Sequence, residues 1–550
     1  MSALPLPPTT WTTGNTDVFK TGTWRSALPV YRNPPSPCHL ACPVSGGIAA
    51  WIRQAAVRDW HGAWTTLTEN NPFPAVAGRV CHRPCESACN RGGYDAPISI
   101  CRLERFIGDL ALAEGWRHPE VPVTRKERIA VVGGGPSGLS AAYQLRRRGY
   151  AVTIFEAQPQ LGGLLRDGIP SYRLPRSVLE SEIRRILESG IEARTGAALA
   201  TAQELERLRA EFDAVYLAMG ARRQKRLPGL DYAQPWVMDG AAYLAQANAG
   251  APPALGRRLA VIGGGSAAMD VARSARRAGH EVRVLSLERE AQMPAQREEV
   301  IEAKEEGVAF LEGAMLCAAA ADGAGGLELD CVRVLFEAGA RPGEFRVTPV
   351  AGSEFVLAAD AVVPAIGQDP ELAPVRSLLD AEDALIRTDS RQATSLEGVF
   401  AGGDVASRAR FVTQAIGMGR EAAQQIDRML QGRAAARASA EPALPLEAIN
   451  TYYFPHAGRA RDARLGARER LRGYAEVQLG MATEQALAEA ARCFSCGNCI
   501  FCDNCLDYCP ELAVRRSDGA YAVDGDYCKG CGLCAEECPT GSIAMREELR

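Results

Sequence analysis

RIAVVGGGPSGLSAAYQLRRRGYAVTIFEA, residues 128–157, reads as an apolar strand, a glycine turn, a helix and a second strand closing on Glu156. Gly133, Gly135 and Gly138 form G-x-G-x-x-G at the strand-to-helix turn. The first two glycines permit a tight turn and close backbone approach, and the third lets helix and sheet pack. A pyrophosphate fits against the helix N-terminus, where free N–H groups and the helix dipole favour an anion. Glu156, about 23 residues on, stands where an acid accepts hydrogen bonds from ribose hydroxyls. A second copy, RLAVIGGGSAAMDVARSARRAGHEVRVLSL (258–287), carries Gly263, Gly265 and Ala268 in G-x-G-x-x-A, with Ser266 at the expected helix start. The repeat predicts two Rossmann-like α/β modules, each binding a dinucleotide.

Further along, GVFAGGDVAS (398–407) places Gly403 and Asp404 before a helix expected near Gln414 and Ala415. Asp404 is positioned to hydrogen-bond the ribityl or phosphate end of a flavin, and the helix start to meet charge developing on the ring. FAD is therefore expected on residues 121–250 plus 371–430, with an NAD(P) module, 251–370, inserted between these halves. Residues 431–492 read as a linker (QGRAAARASAEPALP, 431–445) and a helix, MATEQALAEAAR (481–492). Residues 1–120 read as an arm rich in Thr, Pro and Gly up to about residue 30, then a helical domain with clustered cysteines. Its helices are expected within IAAWIRQAAVRDWHGAWTTL and ISICRLERFIGDLALAEG.

The C-terminal segment, 493–550, is the most explicit. Cys499, Cys502, Cys505 and Cys509-Pro510 follow C-x2-C-x2-C-x3-C-P, and Cys528, Cys531, Cys534 and Cys538-Pro539 repeat it. This is the bacterial two-cluster ferredoxin pattern, in which the fourth cysteine of each run ligates the other [4Fe-4S] cluster. A zinc ribbon would leave half of these thiolates idle. The 18 cysteines in 550 residues sit mostly in metal-ligand spacings, which points to a reducing cytoplasm rather than to disulfides. A net charge of −4 gives no reason to invoke nucleic acid. No signal peptide and no run long enough to span a bilayer is expected.

GGLLRDGIPSYRLP (162–175), VIGGGSAAMD (261–270), AGGDV (401–405) and AIGMGR (415–420) resemble the small subunit of glutamate synthase. They also resemble the half of dihydropyrimidine dehydrogenase through which electrons come in. The resemblance spans about residues 30–497 and implies FAD, with Gly163 and Leu164 at its site, a nicotinamide cofactor and two N-terminal [4Fe-4S] clusters. The glutaminase and glutamate-forming domains are absent, and a ferredoxin domain is added.

That family normally starts with a C-x2-C where this chain reads YRNPPSP, and it uses a Gln or Glu as one cluster ligand. Cys38, Cys42, Cys81, Cys85, Cys89 and the matching Glu104 make six ligands, whereas two cubes need eight. The spare C-x2-C of the chain is Cys493 and Cys496. The resemblance thus implies one cluster on Cys38, Cys89, Cys493 and Cys496, and another on Cys42, Cys81, Cys85 and Glu104. Cys493 and Cys496 as unligated thiols is the alternative, and Cys101 competes with Glu104. Cys317 and Cys331 are expected as small buried core residues.

NADPH-using relatives carry two arginines where this chain has Leu287 and Glu288. A carboxylate there repels a 2′-phosphate and accepts hydrogen bonds from free ribose hydroxyls, so NAD(H) is expected over NADP(H). Arg289 and a merely solvated Glu288 are the counter-readings. The expectation is an NAD(P)H:acceptor oxidoreductase subunit with FAD, four [4Fe-4S] clusters and no acid–base triad. Its expected partner is a redox protein, with a 2-oxoacid:acceptor oxidoreductase complex favoured. The alternatives are a glutamate synthase small subunit and a non-catalytic electron-relay or assembly subunit.

Overall fold

The structure, a computed structural model, describes residues 20–323, 325–340, 344–434, 441–517 and 519–548. Two parallel sheets organise the centre. The first has five strands in the order Val399–Ala401, Ala214–Leu217, Arg128–Val132, Ala151–Glu156 and Glu192–Thr195. Its edge strand Val399–Ala401 arrives from beyond the inserted module, as the split flavin domain requires. Past Arg128 every residue of the central strand is buried, as expected for a parallel sheet covered on both faces. Helix Val412–Leu430 lies against the glycine helix Pro136–Arg146, and Ser140 Oγ donates to the Ile416 carbonyl at 2.8 Å.

The second sheet orders Ala361–Pro364, Arg258–Ile262, Glu281–Ser286 and Ala309–Glu312, all parallel. An antiparallel layer of Ala314–Ala321, Leu327–Ala338, Phe345–Pro349 and Phe355–Ala359 covers one face. Helix Gly240–Asn248, which a boundary at 250 assigns to the flavin side, buries Tyr243, Leu244 and Ala247 in the core of this second module.

The N-terminal helices Ile48–Ala56, Trp60–Thr68, Pro74–Val80 and Ile100–Ala113 follow the apolar periodicity. Arg58, at φ +63°, breaks the first expected stretch into two. Trp51, Ile52, Trp64, Leu103 and Ile107 share one core with Ala486 and Ala490 of helix Thr483–Ala491, so that helix folds back onto this domain.

Two expectations about chain ends and connections change. Residues 1–19 lie outside the described residues, but from residue 20 the arm is pinned to the ferredoxin domain. Strand Ala27–Tyr31 pairs antiparallel with Ile543–Glu547, and Lys20 and Arg25 form ion pairs of 2.6 Å with Asp526 and Glu548. Residues 435–440 of the expected linker also lie outside the described residues, while Leu444 is 1% exposed and its N–H donates to the Pro35 carbonyl. Beyond it the chain is a strap. Glu476 pairs with Arg79 and Arg105, Val477 N–H donates to the Tyr172 carbonyl, and Arg470 pairs with Glu305. One strap thereby touches all three preceding modules.

Cys331 is buried as expected, but Cys317 is exposed. The register slips between Leu316 and Ala318, and Cys317 sits in that bulge, so the strand alternation that would bury it is broken there. Among the described residues no helix is long and apolar enough to cross a membrane.

Candidate functional site

The first glycine turn is built as a cradle. Gly133 has φ +110°, and a Cβ there would collide with the Ala218 carbonyl; one at Gly138 would collide with the Gly133 carbonyl. Gly135 faces open space, with nothing within 4 Å of a Cβ position. It caps the helix without a side-chain hydrogen bond, which leaves its first N–H groups for an anion. Glu156 is buried, and its carboxylate accepts from Gly134 N–H at 2.7 Å and Gln158 N–H at 2.8 Å.

These residues open on a cavity of 440 Å³. Gly133, Gly135 and Glu156 line it at one end and Gly163 and Leu164 along the side; Gly403, Asp404 and Ala415 come from the far half of the domain. Burial pushes the Asp404 carboxyl above its usual value, with Arg410 opposing. The helix expected near Gln414 starts at Val412, and Val412 and Ala415 line the cavity while Gln414 does not. The residues fit FAD: a cradle with no side chains, an acid beside it, and an uncapped helix N-terminus at the opposite end.

Ser266 and Ala267 of the second module line the same cavity, so the two dinucleotide sites share one space. Gly263 has φ +138° and packs against the Ala365 carbonyl, Gly265 faces open space, and Ala268 is fully buried under the turn. Glu288 lies beside this turn, with Oε2 2.6 Å from where a Cβ on Gly264 would be. Glu156 stands in the same relation to Gly134, at 3.1 Å. Burial pushes the Glu288 carboxyl up, and Arg289 is exposed.

Sequence reasoning missed the pair that joins the modules. Arg173, from the flavin half, meets Asp270 at 2.6 Å and Glu299 at 2.5 Å on the nicotinamide half, and both Arg173 and Asp270 line the shared cavity. Burial raises the Asp270 carboxyl, opposed chiefly by Arg173. Tyr172, next in chain, lies beneath the guanidinium groups of Arg273 and Arg277 at 4.9 and 3.8 Å. The available signal was Asp270 itself, one turn into a nucleotide-binding helix.

The cysteines fall into four sets. Cys38, Cys89, Cys493 and Cys496 line one small internal cavity. Burial pushes the Cys38 thiol up to about 12 and Cys496 to about 11, and raises Cys493 too. Cys42, Cys85 and Glu104 influence one another's protonation, and Cys81 neighbours Cys101. Asn71 Nδ2 donates to Glu104 Oε1 at 2.6 Å, whereas Cys101 contacts the Gly78 carbonyl at 3.3 Å, inside the helix pair. Cys509 joins Cys528, Cys531 and Cys534 around a third cavity. Cys538 stands with Cys499, Cys502 and Cys505, the crossed arrangement expected of a two-cluster ferredoxin. Among the described residues no three His, Cys, Asp or Glu side chains converge to hold a single ion. The four thiols around each of the two small cavities suit a cluster.

The second set abuts the flavin cavity. Cys81 Sγ is 3.7 Å from Thr413 Oγ1 at the start of the flavin-domain helix. His82 and Val80 line the cavity, and the His82 ring packs against Phe411 at 4.2 Å, tilted 46° to it.

Comparison with known proteins agrees with this layout. The sequence profile of the pyridine nucleotide-disulphide oxidoreductases matches residues 104–197 and 127–419. That of dihydropyrimidine dehydrogenase domain II, a 4Fe-4S domain, matches 32–116, and a 4Fe-4S dicluster domain matches 498–542. The NADP(+)-dependent formate dehydrogenase subunit beta of Moorella thermoacetica is 35% identical over 84% of this chain and 70% of its own length. The NADPH-Fe(3+) oxidoreductase subunit beta of Geobacter sulfurreducens is 34% identical over 84% and 75%. The NAD-dependent dihydropyrimidine dehydrogenase subunit PreT of Escherichia coli is 33% identical over 72% and 92%. The chain belongs to the pyridine nucleotide-disulphide oxidoreductase family and is a flavin- and iron–sulfur-dependent NAD(P)H oxidoreductase, with one 4Fe-4S domain before its nucleotide modules and a 4Fe-4S dicluster domain after them.

Proposed function

We propose that this chain is the nicotinamide-linked electron-transfer subunit of a redox complex, with one FAD and four [4Fe-4S] clusters. The observation that carries the reading is the order of the cysteine sets. Cys81 of the Cys42 set touches the flavin-domain helix. Cys38 and Cys42 are one helical turn apart, joining that set to the Cys38 set. Two residues separate Cys496 from Cys499, which begins the ferredoxin sets. The sets thus form one line from the flavin cavity to the exposed Cys531.

Bound in the cavity, FAD supplies the exchange between two-electron hydride and one-electron chemistry. The chain's own residues do the placing. The glycine N–H groups hold pyrophosphates, Glu156 and Glu288 take ribose hydroxyls, and Arg173 fixes the two modules in register. Glu288 supports NAD(H) over NADP(H), since its carboxylate repels a 2′-phosphate. The relatives differ on this point by name, two being NADP(H) proteins and one NAD-dependent.

For the partner we favour a 2-oxoacid:acceptor oxidoreductase, on the strength of the two-cluster ferredoxin domain. The native complex, isolated through a tag on this chain, tests it by its subunits. A large amidotransferase subunit would mean a glutamate synthase, and a formate-oxidising subunit would mean a complex like the first relative's. For the cofactor, NADH is expected to exceed NADPH in kcat/KM, and Glu288→Arg to narrow or reverse the ratio. Wild-type kinetics favouring NADPH would refute the preference.

A further inference from the structure

Between helix Ile48–Ala56 and the ferredoxin domain lies a groove of 870 Å³, to which none of the foregoing assigns a role. One wall is an aromatic ladder. The Tyr31 and Phe501 rings each lie 5.9 Å from Tyr521, tilted 18° and 28° to it. Cys499, from the first ferredoxin set, is on the wall. Among the described residues the charged ones lining the groove are Arg32 and Arg53, with no carboxylate. Arg53 donates to the Cys499 carbonyl at 2.6 Å and covers the Phe501 ring at 5.1 Å. Among the described residues neither arginine has a carboxylate partner. Gln54 Oε1, on the same wall, is buried without a donor.

We propose that this groove docks an acidic segment of the partner redox subunit, bringing the partner's redox centre to the cluster at Cys499 ahead of the terminal one. This rests on the electron-transfer reading above. Two arginines lacking counter-ions attract carboxylates and steer their approach. The aromatic ladder supplies apolar contact of the kind that anchors interfaces. The chain's own first nineteen residues, MSALPLPPTTWTTGNTDVF, hold a single acid and match two arginines poorly. A carboxylate on Arg53 also adds negative charge beside the Cys499 cluster and lowers its potential. By linkage, the partner then binds the oxidised cluster more tightly than the reduced one.

The test uses the native complex. Photo-reactive p-benzoylphenylalanine replaces Val57 on the groove rim, 72% exposed, Leu335 on the nicotinamide module, 55% exposed, or Leu512 beside the terminal set, 77% exposed. The expected result is a cross-link from position 57 to an acidic partner peptide and none from position 335. The double variant Arg32→Glu/Arg53→Glu should weaken partner binding about tenfold or more and flatten its salt dependence. Arg32→Glu alone should keep NADH-dependent reduction of benzyl viologen, with unchanged iron and flavin content showing that it folds. Cross-links from 57 only to this chain's own residues 1–19, partner cross-links only at Leu512 beside the terminal set, or unchanged affinity and salt slope would each overturn the docking site. Absence of benzyl viologen reduction by the wild type would strike the electron-transfer reading instead, while the cross-link still decides the groove.

Discussion

At the scale of single residues, Glu104 and Cys101 stand one helical turn apart and compete for one role. Glu104 lies close enough to Cys42 and Cys85 to raise their thiols, with Asn71 holding one oxygen, while Cys101, 2% exposed, contacts the Gly78 carbonyl and lies beside Cys81. Glu104→Ala should lose about four of about sixteen iron atoms. Cys101→Ala should keep them all and cost about 1 kcal/mol for a small cavity. Iron analysis with thermal melts separates the outcomes, and the opposite pattern would make Cys101 the ligand. Asp404→Ala removes the carboxylate from the far end of the flavin cavity, so FAD should wash out during gel filtration where the wild type stays yellow.

Much of this scale was legible in advance, because glycine turns and ferredoxin runs are local patterns set by backbone geometry and ligand spacing. Arg173 and Asp270 were not, since an ion pair across 97 positions leaves no periodic trace in either segment. Cys317 was misjudged for a related reason. Alternation predicts burial in a regular strand, and nothing in AMLCAAAA announces a bulge.

The decisive element is helix Thr483–Ala491 with the Cys493–Cys496 turn. Counting ligands exposed the need for a distant C-x2-C, but the clasp that brings it home is visible only in three dimensions. Arg492 pairs with Asp95 at 2.9 Å, and Arg91 pairs with Asp95 at 2.7 Å and donates to the Arg492 carbonyl. Glu489 accepts from Ser99 N–H and Ala460 N–H. Changing Cys493 and Cys496 together to Ser should remove one cube's iron and leave the ferredoxin sets loaded; unchanged iron would sink the fold-back. Asp95 gives the pH test. Its hydrogen bonds to Arg91 hold the carboxyl below its ordinary value of 3.8, so its stabilisation is complete above that value and is lost as pH falls below it, through the depressed value of the folded state. Asp95→Asn should therefore melt earlier by a margin worth about 2 kcal/mol that stays flat from about pH 8 to about pH 5. A margin that varied inside that window would assign the clasp to another group.

Across the whole molecule, ion pairs hold the nicotinamide module against its neighbours. Glu298 meets Arg83 at 2.8 Å and Arg102 at 3.4 Å, and Arg173 grips Asp270 and Glu299. Arg173→Met should retain FAD yet lower kcat for NADH-dependent dye reduction by about tenfold to a hundredfold, because the two dinucleotide sites lose their fixed register. A wild-type kcat would show that the pair serves packing alone.

The pairing of Ala27–Tyr31 with Ile543–Glu547, and of Cys38 with Cys493, also bears on how the protein is made. A ribosome adding about 5–20 residues per second leaves the first strand without its neighbour for roughly half a minute to two minutes. During that interval the proposed Cys38 iron site has two of its four thiols and the arm has no sheet to join. On that proposal, loading of the Cys38 site follows synthesis of Cys493 and Cys496, whereas Cys42, Cys81, Cys85 and Glu104 are all made early; a nascent chain stalled before residue 493 would then hold nucleotide modules able to fold and one amino-terminal iron site unable to close.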